Sequence, residues 1–139
     1  MTRKKTGGPR PPNKAQKGAA PRQSRNQSAA GELRIIGGDW RSRKLRFPDA
    51  GGVRPTPART RETLFNWLQP VVAGARCLDL FAGSGANGIE AISRGADELV
   101  LLERDPKLAQ GLRDVASRLK ICNTEVICND ALAWLQQPG

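Results

Sequence analysis

Three carboxylates and a glycine-rich turn are the residues in this chain whose types and spacing could do chemistry. The turn is Asp79-Leu80-Phe81-Ala82-Gly83-Ser84-Gly85-Ala86-Asn87-Gly88, in which Gly83, Gly85 and Gly88 have G-x-G-x-x-G spacing. Such a turn between a strand and a helix lets a ligand approach the backbone and offers the amides of a helix N-terminus. On its own it fits NAD, FAD and S-adenosylmethionine alike. The acids narrow the choice. Asp79, four residues before Gly83, would repel a pyrophosphate and attract the ammonium of S-adenosylmethionine. Glu103, 24 residues after Asp79, is a carboxylate suited to accept two ribose hydroxyls. Asp130, followed by Ala131, could reach an adenine amine. Each acid alone could equally be a helix cap or a solvated turn residue. Together, at three successive strand ends, they fit one ligand crossing those ends.

Other chemistries are closed off. The 139 residues contain no His, so neither a Ser-His-Asp triad nor a Cys-His pair can form, and no metal site is expected. Cys77, Cys122 and Cys128 lack C-x-x-C spacing and read as reduced packing residues. No apolar run is long enough to span a bilayer and the N-terminus lacks an apolar secretory stretch, so a cytoplasmic protein is expected.

The elements that must position these groups follow from the pattern around them. From Ala75 the chain alternates strand and helix, as parallel α/β architecture does. Strands are expected at 75–81, 98–103 and 124–128, with helices at 86–94, ended by Gly95, at 106–120, and from 130 to 136. Upstream, 33–36 and 40–47 read as a hairpin around Gly37-Gly38-Asp39, with an arginine- and lysine-rich outer face. Thr56 reads as the N-cap of a helix with Pro57 at its first position, running from Arg59 to Leu68 and closed by Pro70. Leu64, Trp67 and Leu68 form its packing stripe. Residues 1–31, with eight basic and no acidic side chains and four prolines, read as a disordered basic tail. The formal charge is +10, but the region 62–139 carries seven basic against ten acidic residues, so the positive charge is concentrated at the front. Three regions result: a tail at 1–31, a basic hairpin and loop at 32–53, and an α/β part at 54–139.

Arg54-Pro55-Thr56, Arg59, and Arg61-Glu62-Thr63-Leu64-Phe65-Asn66-Trp67-Leu68, followed by Leu78 to Gly85, resemble the bacterial 16S ribosomal RNA guanine-N2 methyltransferase family. The opening hairpin, Arg34-Ile35-Ile36-Gly37-Gly38 with Trp40-Arg41 and Arg43-Lys44-Leu45, is similar to the same family. The resemblance runs from about Leu33 onward and implies a class I methyltransferase Rossmann-like sheet and S-adenosyl-L-methionine as cofactor. It implies transfer of a methyl group to a guanine N2 of 16S rRNA, naked or in a partly assembled small subunit, by a full-length monomer. Asp79, Phe81, Ala82, Gly83, Ser84, Gly85, Glu103, Asp130 and Ala131 would hold the cofactor. Arg54, Thr56 and Arg59 to Glu62 would border the site, and Arg34, Arg41, Arg43, Lys44, Arg46, Arg54, Arg59 and Arg61 would face RNA, largely through phosphates.

The family's acceptor motif, an Asp or Asn followed by Pro-Pro and an aromatic, does not occur here, since the only Pro-Pro is Pro11-Pro12. That motif would clamp the flipped base in line with the methyl group, so this chain is expected to be inactive alone, with no catalytic residue of its own. Three strands also make an incomplete sheet, which would leave 75–81 as an apolar edge and fits the N-terminal part of a longer enzyme. Two other readings remain: an RNA-binding fragment with a vestigial cofactor loop, and an NAD-dependent oxidoreductase resting on the glycine spacing alone.

Overall fold

A computed structural model describes residues 7, 31–48 and 54–139. The basic tail and the loop at 49–53 lie outside the described residues, apart from Gly7 and from Gly31, which begins the first strand rather than ending the tail. The chain opens with an antiparallel hairpin of β1 (Gly31–Arg34) and β2 (Lys44–Phe47), in which Leu33 faces Leu45 and Arg34 faces Lys44. In β2 the alternation Lys44, Leu45, Arg46, Phe47 puts the cations outside and the apolar pair inside, where they are buried. β1 lies two residues earlier than the sequence suggested, and β2 is half the expected length, because the segment from Gly37 to Arg43 closes as turns, with Ser42 at φ 69°.

Helix α1 spans Ala58–Val72. It starts without a side-chain cap, so Thr56 does not act as the expected N-cap; its hydroxyl instead accepts a hydrogen bond from Asn87. Pro70 does not end the helix but lies within it. The buried residues of α1 are Arg61, Phe65 and Val72, and Trp67 is 76% exposed, so the stripe expected to include Trp67 is rotated toward Phe65.

The α/β part then runs β3 (Arg76–Asp79), α2 (Ala86–Ser93), β4 (Glu98–Glu103), α3 (Pro106–Arg118), β5 (Thr124–Cys128) and α4 (Ala131–Leu135). The three strands are parallel in the order β3-β4-β5. β4 is central because Leu99, Leu101 and Leu102 are each at most 1% exposed and fill both faces. Asp105 caps α3 by accepting from the amides of Lys107 and Leu108, and Pro106 takes the first helical position, where no amide partner is needed. β3 is an edge, as expected, and beside it a cleft of about 420 Å³ is lined by Leu64, Leu68, Val72, Cys77 and Leu78. Cys122 and Cys128 are exposed rather than packed, and Cys77 is half-buried.

The hairpin is fastened to α2 by polar contacts that no periodicity reveals. The Glu90 carboxylate, fully buried, accepts from the amides of Ile36 and Gly37 at 2.8–3.2 Å and from Arg94 Nε at 3.0 Å. Arg61 places Nη1 3.6 Å from Glu90 and donates through Nη2 to the carbonyl of Arg34. Ser93 accepts from the Trp40 amide and donates to the Gly37 carbonyl. Leu33, Ile35, Leu45 and Phe47 of the hairpin then share a core with Ala86, Ile89 and Val115.

Candidate functional site

The C-terminal ends of β3, β4 and β5 converge on one opening. At the end of β3, Asp79 accepts a hydrogen bond from the Phe81 amide at 3.1 Å. Burial pushes its carboxyl up from the ordinary aspartate value, and the neighbouring Glu103 charge adds to that rise against the lowering effect of the Phe81 hydrogen bond. The site therefore holds a carboxylate that a nearby cation would stabilise.

At the end of β4, Glu103 braces the glycine turn. One of its oxygens accepts from the Gly83 amide at 2.8 Å and the other from the Asp105 amide at 3.0 Å. Each oxygen keeps a second lone pair for a ligand hydroxyl. After β5, Asp130 caps α4 by accepting from the Ala133 amide at 3.0 Å, so the cap role considered from sequence is realised with one carboxylate oxygen still uncommitted.

The turn is built differently from the ligand cradle its spacing suggests. The amides of Ala82 and Gly85 bond to the carbonyls of Leu102 and Ala82, and those of Phe81 and Gly83 to Asp79 and Glu103. Gly85 has φ +80°, and a Cβ there would come within 2.6 Å of Leu112 on α3. A Cβ on Gly88 would come within 2.6 Å of Leu101 on β4. Two of the three glycines thus serve helix and sheet packing rather than ligand approach. Ala82, Ser84 and Ala131 are buried, yet each lines one of the cavities at the opening.

Two cavities flank Phe81, whose ring is 80% exposed. One of about 120 Å³ is lined by Arg54, Thr56, Asp79, Ala82, Gly83 and Asn87, among others. The other, of about 200 Å³, is lined by Leu102, Glu103, Arg104, Asn129, Asp130 and Ala131 together with Leu80 and Phe81. The structure brings together all the carboxylates singled out from sequence, and Arg54 and Thr56, implied to border the site, line the same cavity as Asp79. Gly85 lines neither cavity.

Arg34, Arg41, Arg43, Lys44, Arg46, Arg54 and Arg59 are exposed. Arg61 is not available to RNA: at 2% exposure, its guanidinium is committed to Glu90 and the Arg34 carbonyl, and burial lowers its pKa. Its expected RNA contact is corrected to a buried structural role. Only part of the signal was present: Arg61, Phe65, Leu68 and Val72 recur at helical spacing and put an arginine on the packing stripe, but the spacing names no partner for it. Glu90, inside the run Gly88-Ile89-Glu90-Ala91-Ile92, was its missing partner.

The family model described as Conserved hypothetical protein 95 matches residues 33–139. This chain belongs to that family. Among relatives of known name, Ribosomal RNA small subunit methyltransferase D of Escherichia coli strain K12 is 52% identical over 114 residues, covering 82% of this chain and 58% of that protein. The protein of the same name from Haemophilus influenzae is 47% identical over 113 residues, covering 80% and 58%. The chain thus spans a little over half the length of these relatives. Among solved structures, yhhF from Escherichia coli superposes with a TM-score of 0.72 at 50% identity, covering 77% of this chain and 57% of that one. RsmC of T. thermophilus, a 16S rRNA N2 methyltransferase solved in complex with AdoMet and guanosine, superposes with a TM-score of 0.56 at 27% identity, covering 73% and 28%. The fold is that of the methyltransferases, as the resemblance implied.

Proposed function

We propose that this chain is the cofactor-binding and RNA-facing part of an S-adenosylmethionine-dependent rRNA methyltransferase, acting on a guanine N2 of 16S rRNA in the cytoplasm. The observation that carries the cofactor is the set of carboxylates at the strand ends. Asp79 stands at the end of β3 beside the glycine turn, where a dinucleotide would bring its pyrophosphate near, and four amides of the turn are already bonded inside the protein. A dianionic group would meet like charge and few free donors; a zwitterionic sulfonium cofactor would meet what it needs. The same charge argument weighs against the NAD reading.

The residues present fit that cofactor. Asp79 would pair with its ammonium, Glu103 would accept its ribose hydroxyls through the free lone pairs, and Asp130 would border its adenine beside Ala131. Phe81, Ala82, Gly83 and Ser84 would supply the backbone wall at the two cavities, with Gly85 holding the turn against α3. When bound, S-adenosylmethionine supplies an electrophilic methyl group on sulfur. The chain's own residues bind and orient it, and Arg34, Arg41, Arg43, Lys44, Arg46, Arg54 and Arg59 would hold RNA phosphates.

The relatives' names support the rRNA assignment, and the guanine-N2 position rests on the resemblance and on the N2 chemistry named for RsmC. With no Asp- or Asn-Pro-Pro-aromatic element in residues 1–139, the chain alone is proposed to bind cofactor without transferring the methyl group. The test is methyl transfer from labelled S-adenosylmethionine to 16S rRNA by this chain and by a relative of full length. Label on a guanine N2 with the relative only is the expected result. Label on another base would refute the assignment, and label with the 139-residue chain would refute its inactivity.

A further inference from the structure

We infer that a shallow cavity between β2 and the last turn of α3 is a nucleotide subsite for an RNA strand, with Arg43, Lys44 and Arg118 as its phosphate contacts. The inference rests on the RNA-directed reading above and deepens it by adding Arg118 and a second place of contact. The cavity, of about 150 Å³, is lined by Arg43, Lys44, Leu45, Val115, Arg118 and Leu119. Leu45 and Val115 are buried and form an apolar floor, while the three cations are exposed around it. An apolar floor ringed by cations matches a nucleotide, whose base or ribose covers carbon while its phosphates take the charge.

The clustering is a product of the fold and not of local sequence. Arg43 and Arg118 are 75 positions apart, and Arg118 comes from the region 62–139, where acids outnumber bases. The hairpin lands on α3 because Leu45, Phe47 and Val115 share a core, and that contact carries Arg43 and Lys44 to Arg118. Among the described residues neither Arg43 nor Arg118 enters an ion pair. Lys44 lies 3.7 Å from Glu32, with both side chains about half exposed, a pairing worth at most about 1 kcal/mol and easily traded for a phosphate. The carbonyl end of α3 opposes an anion, which the arginine in its last turn offsets.

The position also separates this subsite from the cofactor opening. Pro106 starts α3 just after β4, beside the opening, and 13 residues at 1.5 Å each put Arg118 about 20 Å along the helix. An RNA reaching both would have to span about 20 Å, so the contact positions the strand and leaves base choice to the opening.

The test is fluorescence anisotropy of the whole chain with a labelled single-stranded RNA 20-mer, over a range from about 50 to 200 mM salt, the window in which phosphate contacts weaken measurably. Arg118→Glu should weaken binding about tenfold or more at the low end and reduce the salt slope by about one, with Arg118→Lys keeping the slope. Arg113→Glu makes the same charge change on α3, but that side chain reaches the Val126 carbonyl of β5; it should weaken binding less than about threefold by its long-range charge alone. Affinity for S-adenosylhomocysteine should be unchanged in Arg118→Glu, with the thermal melt lowered only slightly by a glutamate at the carbonyl end of α3. Equal losses in Arg118→Glu and Arg113→Glu would reduce the effect to overall charge and overturn the subsite. Competition by poly-glutamate as effective as by unlabelled RNA would overturn its assignment to a nucleotide. A wild-type chain that binds S-adenosylhomocysteine but no RNA would overturn the RNA-directed reading itself, and the subsite with it.

Discussion

Asp79 carries a cost that the ligand is there to relieve. Its folded pKa lies above the ordinary aspartate value of 3.8, so the fold holds the protonated form more readily than the unfolded chain does, and stability falls as pH rises through that interval. Asp79→Asn removes the penalty. The variant should melt at a higher temperature than wild type near neutral pH, with the gap closing as pH falls toward 3.8, and should bind S-adenosylhomocysteine more weakly. A variant less stable than wild type at pH 7 would show that Asp79 is stabilised by its surroundings, contrary to this account. Glu90 is the opposite case, a buried carboxylate whose partners are all internal. Glu90→Gln leaves Arg61 buried without a counter-ion and weakens the amide contacts to Ile36 and Gly37, a loss of about 3–5 kcal/mol in a urea melt. A loss below about 1 kcal/mol would mean that the guanidinium reaches solvent.

At the scale of elements, the glycine turn is a packing joint before it is a binding loop. Gly85→Ala forces a side chain into the left-handed region and against Leu112, so it should cost on the order of 2 kcal/mol or more even with no cofactor present. A change in cofactor affinity with stability intact would instead assign that glycine to the ligand. The α/β elements were legible because their signals are local and agree: β4 and β5 have the bounds read from sequence, and Pro106 after Asp105 marks the start of α3. What was not legible depends on contacts far along the chain. Arg61 looked like an RNA contact because its partner Glu90 is 29 residues away, and Trp67 looked like a core residue because only the packing of α1 on the sheet fixes which face turns inward. Likewise, the three acids were readable as a set, whereas the use of the turn's own amides by Asp79 and Glu103 could be seen only in three dimensions.

For the whole molecule, a cationic face and an apolar edge stand out. The outer face of the hairpin and the start of α1 carry a cluster of exposed arginines, while β3, an edge strand among the described residues, is bordered by apolar side chains, with Val71 64% and Leu78 48% exposed. An unpaired edge beside an apolar cleft favours association between chains. Sedimentation of the 139-residue chain should show self-association that grows with concentration, and a monomer at every concentration would argue against an exposed edge. The charge at the front should make RNA affinity fall steeply with salt.

The central claim is that the strand-end carboxylates form a sulfonium-cofactor site, and isothermal titration of the 139-residue chain with S-adenosylhomocysteine and with NAD addresses it most directly. The account predicts saturable binding of S-adenosylhomocysteine that Asp79→Asn and Glu103→Gln both weaken, and no binding of NAD. Binding of NAD with equal or greater affinity, or binding of S-adenosylhomocysteine untouched by both substitutions, would contradict it.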